Sequence, residues 1–385
     1  MTALLELGHT WPYATDGEIA AINLDSARRR AWDRFAQDPR RPGVAEEIVD
    51  KERLVAQFLG DVHALDRLDA LAAQFAGVDD SSRAALVQAE VASTAHRFAD
   101  AREHLAQAAL MGASREAIER QTLALDQACG VELETVLAAR RRIATSSGRL
   151  EDRVPLGAVL ADLERIAEAD AVYRKALSSY DGLSPFPPAW ACFQLGMLLG
   201  EVVPVPDPNR AARWYRRALA YVPGYVTARV HLAEIYTSQD RTPDAEALLL
   251  PALASSDPEV RWRLADALIA QERREEAESQ LEAARSAFDE LLGRHLLAFA
   301  DHAAEFYAGS GNDRRRALEL ARANVANRPT RRAVRQAQAM EIGACAPGSE
   351  DRSPIDSGEP LSPQNADPSA INNFAKGGTQ NAVSR

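Results

Sequence analysis

A small residue recurring at fixed spacing limits most strongly what this chain can become. Ala233, Ala245 and Ala252 are twelve and seven residues apart, and the same steps recur in Ala89→Ala101→Ala108, Gly157→Ala169→Ala176 and Ala265→Ala277→Ala284. A step of seven keeps two residues on one helix face. A small side chain at a crossing lets two helix backbones approach, and a large one forces them apart. The stretch Tyr225–Asp257 shows the unit whole. Leu232, Ala233 and Tyr236 stripe one helix, a polar turn follows, and Ala245, Leu249 and Ala252 stripe a second. Such a pair is too thin to bury its own apolar face, so the spacing predicts an array in which neighbours cover one another.

The rest of the chain reads outward from this unit. Residues 1–43 form an arm (Leu4, Leu5, Leu7, Trp11, Pro12, Tyr13) and one helix striped by Leu24, Ala27, Ala31 and Phe35. Thr15 and Glu18 have capping-box spacing at its start. Residues 44–342 read as helix pairs closed by an amphipathic helix near Arg331–Ile342 that covers the apolar end of the array. Two irregularities stand out. Residues 114–146 are a degenerate pair, and Gly196→Ala211 is fifteen rather than twelve. The excess falls in Glu201–Asn209, EVVPVPDPN, where proline bars helix and the chain must loop out. Residues 343–385 are rich in Gly, Pro, Ser, Asn and Asp, with Phe374 the only aromatic, and are expected to be disordered.

Composition excludes several function classes. The formal net charge is −11, which argues against general affinity for nucleic acid or an anionic membrane. No apolar run reaches membrane-spanning length, and the start lacks a signal-peptide pattern, so a cytoplasmic location is expected. Cys129, Cys192 and Cys345 are far apart and form neither a disulfide framework nor a zinc site. The arginine triplets at 28–30, 140–142 and 314–316 spread around a helix rather than making one basic patch. His295 and His302 are seven apart on a shared helix face with Glu305 beyond. Ligands at that spacing lie roughly 10 Å apart along the axis, too far to share one metal ion unaided. No nucleophile elbow, phosphate loop, dinucleotide fingerprint or zinc-protease motif is present, so no catalytic centre, metal or cofactor is expected.

Residues 82–329 resemble the tetratricopeptide repeat (TPR) family, with clear copies at 82–113, 150–181, 189–223, 225–257 and 258–288. The resemblance implies an all-α, right-handed superhelical solenoid of antiparallel helix pairs. It also implies an interaction module whose first helices line a concave groove for a peptide or partner helix. Mapped onto this sequence, the groove positions are Trp190, Phe193 and Met197; Thr227, Val230, Glu234 and Thr237; and Glu259, Trp262, Asp266 and Ile269. Chaperone-binding members clamp a terminal carboxylate with basic residues at such positions. Aromatics and acids stand here instead, so the resemblance implies an apolar or basic ligand gripped by Trp190, Phe193 and Trp262, with Glu234 and Asp266 fixing its polarity. The same aromatics equally suit packing between repeats. The reading is a non-catalytic protein- or peptide-binding scaffold. Its alternative is an accessory subunit of an enzyme docked through the N-terminal arm.

Overall fold

The turn inside each helix pair explains why the repeat forms. A computed structural model describes residues 13–344. Four pairs share one turn sequence, a polar residue, then Arg, two further residues, an acid and Ala: His96-Arg97, Glu164-Arg165, Asp240-Arg241 and Glu272-Arg273 begin the four copies. The polar residue adopts a left-handed conformation in each, with φ of 56°, 59°, 57° and 62°. That costs about 1 kcal/mol for a residue with a Cβ. The arginine N–H then closes the preceding helix by donating back to the carbonyl of Ala92, Leu160, Tyr236 or Leu268 at 2.8–3.0 Å. Its guanidinium meets the acid three residues on, at 3.6 Å for Arg97–Asp100, 2.7 Å for Arg165–Glu168 and Arg241–Asp244, and 2.6 Å for Arg273–Glu276. The acid also lies in the first turn of the second helix, where the dipole favours negative charge.

Among the described residues the chain is all-α, a solenoid of antiparallel helix pairs with no strand. The N-terminal helices are α1 (Gly17–Gln37), α2 (Val44–Leu59) and α3 (Ala64–Ala76). The following pairs are α4 (Ser82–Thr94) with α5 (Phe98–Leu110), α6 (Arg115–Cys129) with α7 (Leu133–Ser147), and α8 (Leu150–Asp162) with α9 (Ile166–Ser178). Then come α10 (Phe186–Met197) with α11 (Pro208–Tyr221) and α12 (Val226–Ser238) with α13 (Thr242–Leu249). The array ends in α14 (Pro258–Ala270), α15 (Arg274–Ala308), α16 (Arg314–Asn327) and α17 (Arg331–Ala344). The spaced alanines Ala101, Ala108, Ala169, Ala176, Ala245 and Ala284 are fully buried, as helix crossings require. The proline insertion extends α10 by a π-helical turn, Leu198–Val202, before looping to the Asp207 cap of α11.

Three features differ from the expectation. Asp16, not Thr15, caps α1, because its carboxylate accepts from Glu18 N and Ile19 N at 2.9 and 3.1 Å. The second helix of one pair and the first of the next run together as α15, bent at His295 (φ −135°, ψ 51°). The bend turns His295 away from the face of His302. Third, the early helices pack back onto the late ones. Phe58 lies between Phe186 and Tyr225 at ring distances of 5.0 and 4.6 Å. Ser256 N donates to Gly60 O at 3.2 Å, and Ser256 Oγ accepts from Val62 N at 3.0 Å. A Cβ at residue 17 would lie 2.2 Å from the Tyr221 carbonyl oxygen, so glycine lets α1 rest on the end of α11. Asp66 of α3 accepts from His295 Nε2 at 2.8 Å and pairs with Arg294.

In the first two arginine triplets the side chains take several partners, although Arg28 and Arg29 share Asp25. Arg28 reaches Glu52 at 3.3 Å, Arg29 meets Asp25, Arg140 is buried beside Gln127, and Arg141 turns to Glu168. Cys129 and Cys192 are buried and unbridged. Among the described residues no helix is long and apolar enough to cross a membrane. The arm residues Leu4–Pro12 and the 345–385 segment lie outside the described residues.

Candidate binding face

The first helices α10, α12 and α14 carry all eleven candidate groove positions, and the structure divides these into buried and more open groups. Phe193, Val230 and Trp262 are buried, 8%, 1% and 4% exposed. Phe193 is ringed by Tyr215, Tyr225 and His231 at 5.3–5.5 Å. Trp262 meets Phe306 and Phe288 edge-on at 5.6 and 6.4 Å, and its Nε1 donates to Ser310 Oγ at 3.2 Å. An indole surrounded this way contributes most of its large apolar area to the interior. Trp190 and Met197 are half-buried against the same core. Glu234 and Asp266 remain partly exposed, and Arg263 joins them: it lies 3.1 Å from Glu234 and 3.4 Å from Asp266 and stacks on the Trp262 ring at 3.7 Å. Among the flanking positions, Thr227, Thr237 and Glu259 are half-buried and Ile269 is exposed.

Ion pairs run from each first helix to the next along this face. His231 of α12 meets Glu201 beyond α10 at 3.1 Å. Arg263 of α14 meets Glu234 of α12. His302, in the second half of α15, meets Glu259 of α14 at 2.7 Å. Asp301 continues the series, 3.7 Å from His302 and in close contact with Arg328. Arg332 of α17 lies 3.7 Å from Glu201 and 3.5 Å from Glu305. Gln336 Nε2 donates to Asp301 O and Glu305 Oε1 at 2.9 and 3.0 Å.

These contacts set the charge states. The carboxylates of Asp301 and Glu259 hold His302 protonated, its pKa pushed up to about 10. Burial is the largest influence on His231 and opposes its charge, but the hydrogen bond to Glu201 and the charges of Glu201, Glu234 and Glu259 together outweigh it and raise its pKa. Burial likewise opposes Glu201, Glu259 and Asp301, yet the neighbouring His231, His302 and Arg328 hold all three below the usual carboxylate range. His96 is the opposite case: burial, with Arg328 nearby, drives it down to about 4 and leaves it neutral. A histidine held as a cation, as His302 is, is a poor general base near neutral pH.

A cavity of about 210 Å³ lies among α15, α16 and α17, lined by Asp301, His302, Asn324, Arg328, Arg332 and Gln336 among others. Asp301 Oδ1 is buried there with no partner in the protein. Sequence reasoning missed this network. The spacing places His302 with His295 and Glu305, but the His295 side chain goes to Asp66 instead. The partners of His302, Arg328 and Arg332 lie on other helices, and no spacing rule connects them. The Arg-x-x-acid turns, by contrast, were a readable signal.

Residues 207–257 match the tetratricopeptide repeat family. No curated protein sequence matches the chain. Similar solved structures include a chain of the APC/C hetero-tetramer Cut9–Hcn1, at 13% identity and TM-score 0.44, covering 84% of this chain and 55% of that one. The C-terminal part of a TPR repeat-containing protein from Cytophaga hutchinsonii aligns at 12% identity and TM-score 0.31, over 76% of this chain and 97% of that one. Yeast Tom70 aligns at 12% identity and TM-score 0.35, over 84% and 85% of the two chains. This chain therefore spans about half the length of the Cut9–Hcn1 chain it matches.

Proposed function

We propose that this chain, which belongs to the tetratricopeptide-repeat family, is a non-catalytic scaffold that holds a protein or peptide partner on the face of α10, α12 and α14. The observation that carries this reading is the series of ion pairs joining each first helix to the next: Glu201–His231, Glu234–Arg263 and Glu259–His302. They fix the relative positions of successive repeats before any ligand arrives, so binding need not order the receptor. Fixed charges on such a surface select a partner by sign and register. Trp190 and Met197 are the apolar contacts, and Glu234 and Asp266 are the charged ones. Burial of Phe193, Val230 and Trp262 gives them a supporting role under that surface.

Affinity capture from the native cell tests the reading, with Trp190→Ala and Glu234→Lys as the comparison chains. Retention of a specific protein by the unaltered chain, and its loss from both variants at unchanged helicity, is the expected result. Equal capture by all three folded chains rejects the proposed face.

A further inference from the structure

The inference rests on the scaffold reading and concerns a second surface, the one covered by α17. We propose that this surface accepts a basic helix from a partner protein in competition with α17. The chain's own helix displays the chemistry required. Arg331 and Arg335 both reach Glu164, at 2.8 and 2.9 Å, and Arg332 reaches Glu201 and Glu305. Glu164 belongs to the α8–α9 turn, Glu201 to the segment after α10 and Glu305 to α15. One helix face thus reads acids from three separate elements.

The apolar hold on α17 is light, and its polar hold is the arginine pairs, Arg322–Glu341 and the Gln336 hydrogen bonds. Its buried apolar contacts are Ala333 and Ala337, 2% and 9% exposed, with Met340 partly covered. Arg331, Arg332 and Arg335 have 59%, 54% and 71% of their side-chain surface exposed, and exposed pairs contribute little. An element held by few buried apolar groups is drawn from the low-stability end of a structure.

The surface also has a feature that α17 does not use. Ala333 lines the 210 Å³ cavity, and its methyl leaves that space unfilled. Asp301, 8% exposed, lines the same cavity with Oδ1 unpartnered. The same cavity is lined by the cations His302, Arg328 and Arg332, so it does not favour a further basic side chain at position 333. The fitting ligand is therefore a helix with arginines at the positions of 331, 332 and 335.

The probe is a labelled peptide of residues 329–344, PTRRAVRQAQAMEIGA, used beside a scrambled control. Its binding to the full chain and to the full chain bearing Arg331→Glu/Arg332→Glu/Arg335→Glu is read by fluorescence anisotropy. The charge-reversed chain, whose α17 is loosened, is expected to bind the native peptide about tenfold more tightly than the unaltered chain. Hydrogen exchange should show α17 opening before α8–α14 in the unaltered chain. Equal binding of the scrambled peptide, no binding to the folded charge-reversed chain, or α17 exchange as slow as that of α12 overturns the proposal. Loss of the whole melting transition in the charge-reversed chain also overturns it, by making α17 part of the array. The α10–α14 face shares Glu201 with this surface, but the capture experiment judges it separately through Trp190 and Glu234.

Discussion

Gly196→Ala tests whether the repeat spacing is a packing constraint. An alanine Cβ at this position would lie 2.4 Å from Cε1, 2.7 Å from Cδ1 and 2.8 Å from Cζ of Tyr215. Carbon atoms pack best at about 3.5–4.0 Å, so the ring must retreat by about 1 Å. It has little freedom to do so. Tyr215 is 1% exposed and bounded by Phe193 and His231, each at a ring distance of 5.5 Å. Overpacking of this kind costs about 1–3 kcal/mol. Replacing glycine within a helix returns about 0.5–1 kcal/mol. The expected net destabilisation is therefore about 1 kcal/mol, within a range of about 0–2.5 kcal/mol, read as a lowered denaturant midpoint by circular dichroism. Repeat arrays open in segments, so hydrogen exchange across residues 186–238 should locate the loss. In a Tyr215→Leu background the obstacle is gone, and the same substitution should stabilise. A stabilising Gly196→Ala in the unaltered chain, or no coupling to Tyr215, refutes the reasoning. Gly157 offers an internal repeat of the experiment, since a Cβ there would lie 2.4 Å from Tyr173.

Three further outcomes follow from the ion pairs. His302 is raised from 6.5 to about 10, so its contribution to stability is complete below pH 6.5 and is lost progressively as pH rises towards 10. The denaturant midpoint should fall across that window, and less so in His302→Gln; equal slopes would contradict the assignment. Glu259 and Asp301 are depressed, so their contribution is present above the ordinary carboxylate range and lost on acidification. Asp66→Ala leaves buried His295 without its Nε2 partner and should cost about 1–3 kcal/mol. Faster hydrogen exchange in both α3 and the second half of α15 checks it, and unchanged exchange in either removes the role given to this contact.

The helix pair was legible because everything that specifies it is local. Ala233, Ala245 and Ala252 meet within one turn-linked hairpin, and the Arg241–Asp244 turn that aims the hairpin spans three residues. The prolines of 201–209 likewise announced a loop through their own backbone chemistry. An apolar stripe, however, says that a face is covered and not what covers it. Trp262 is equally amphipathic whether it faces a ligand or Phe288 and Phe306, and only the path of α15 decided between them. That path turns on His295, whose partner Asp66 lies 229 residues away in sequence. The charge network of His302 has the same origin, since Coulomb attraction depends on distance in space and leaves no period along the chain. The amino-acid sequence by itself therefore determined the repeating unit, its turns and its stacking residues. The tertiary structure alone decided where the array folds back on itself, which candidate side chains keep a free surface and which acids α17 covers, because those outcomes depend on contacts between helices far apart in the chain.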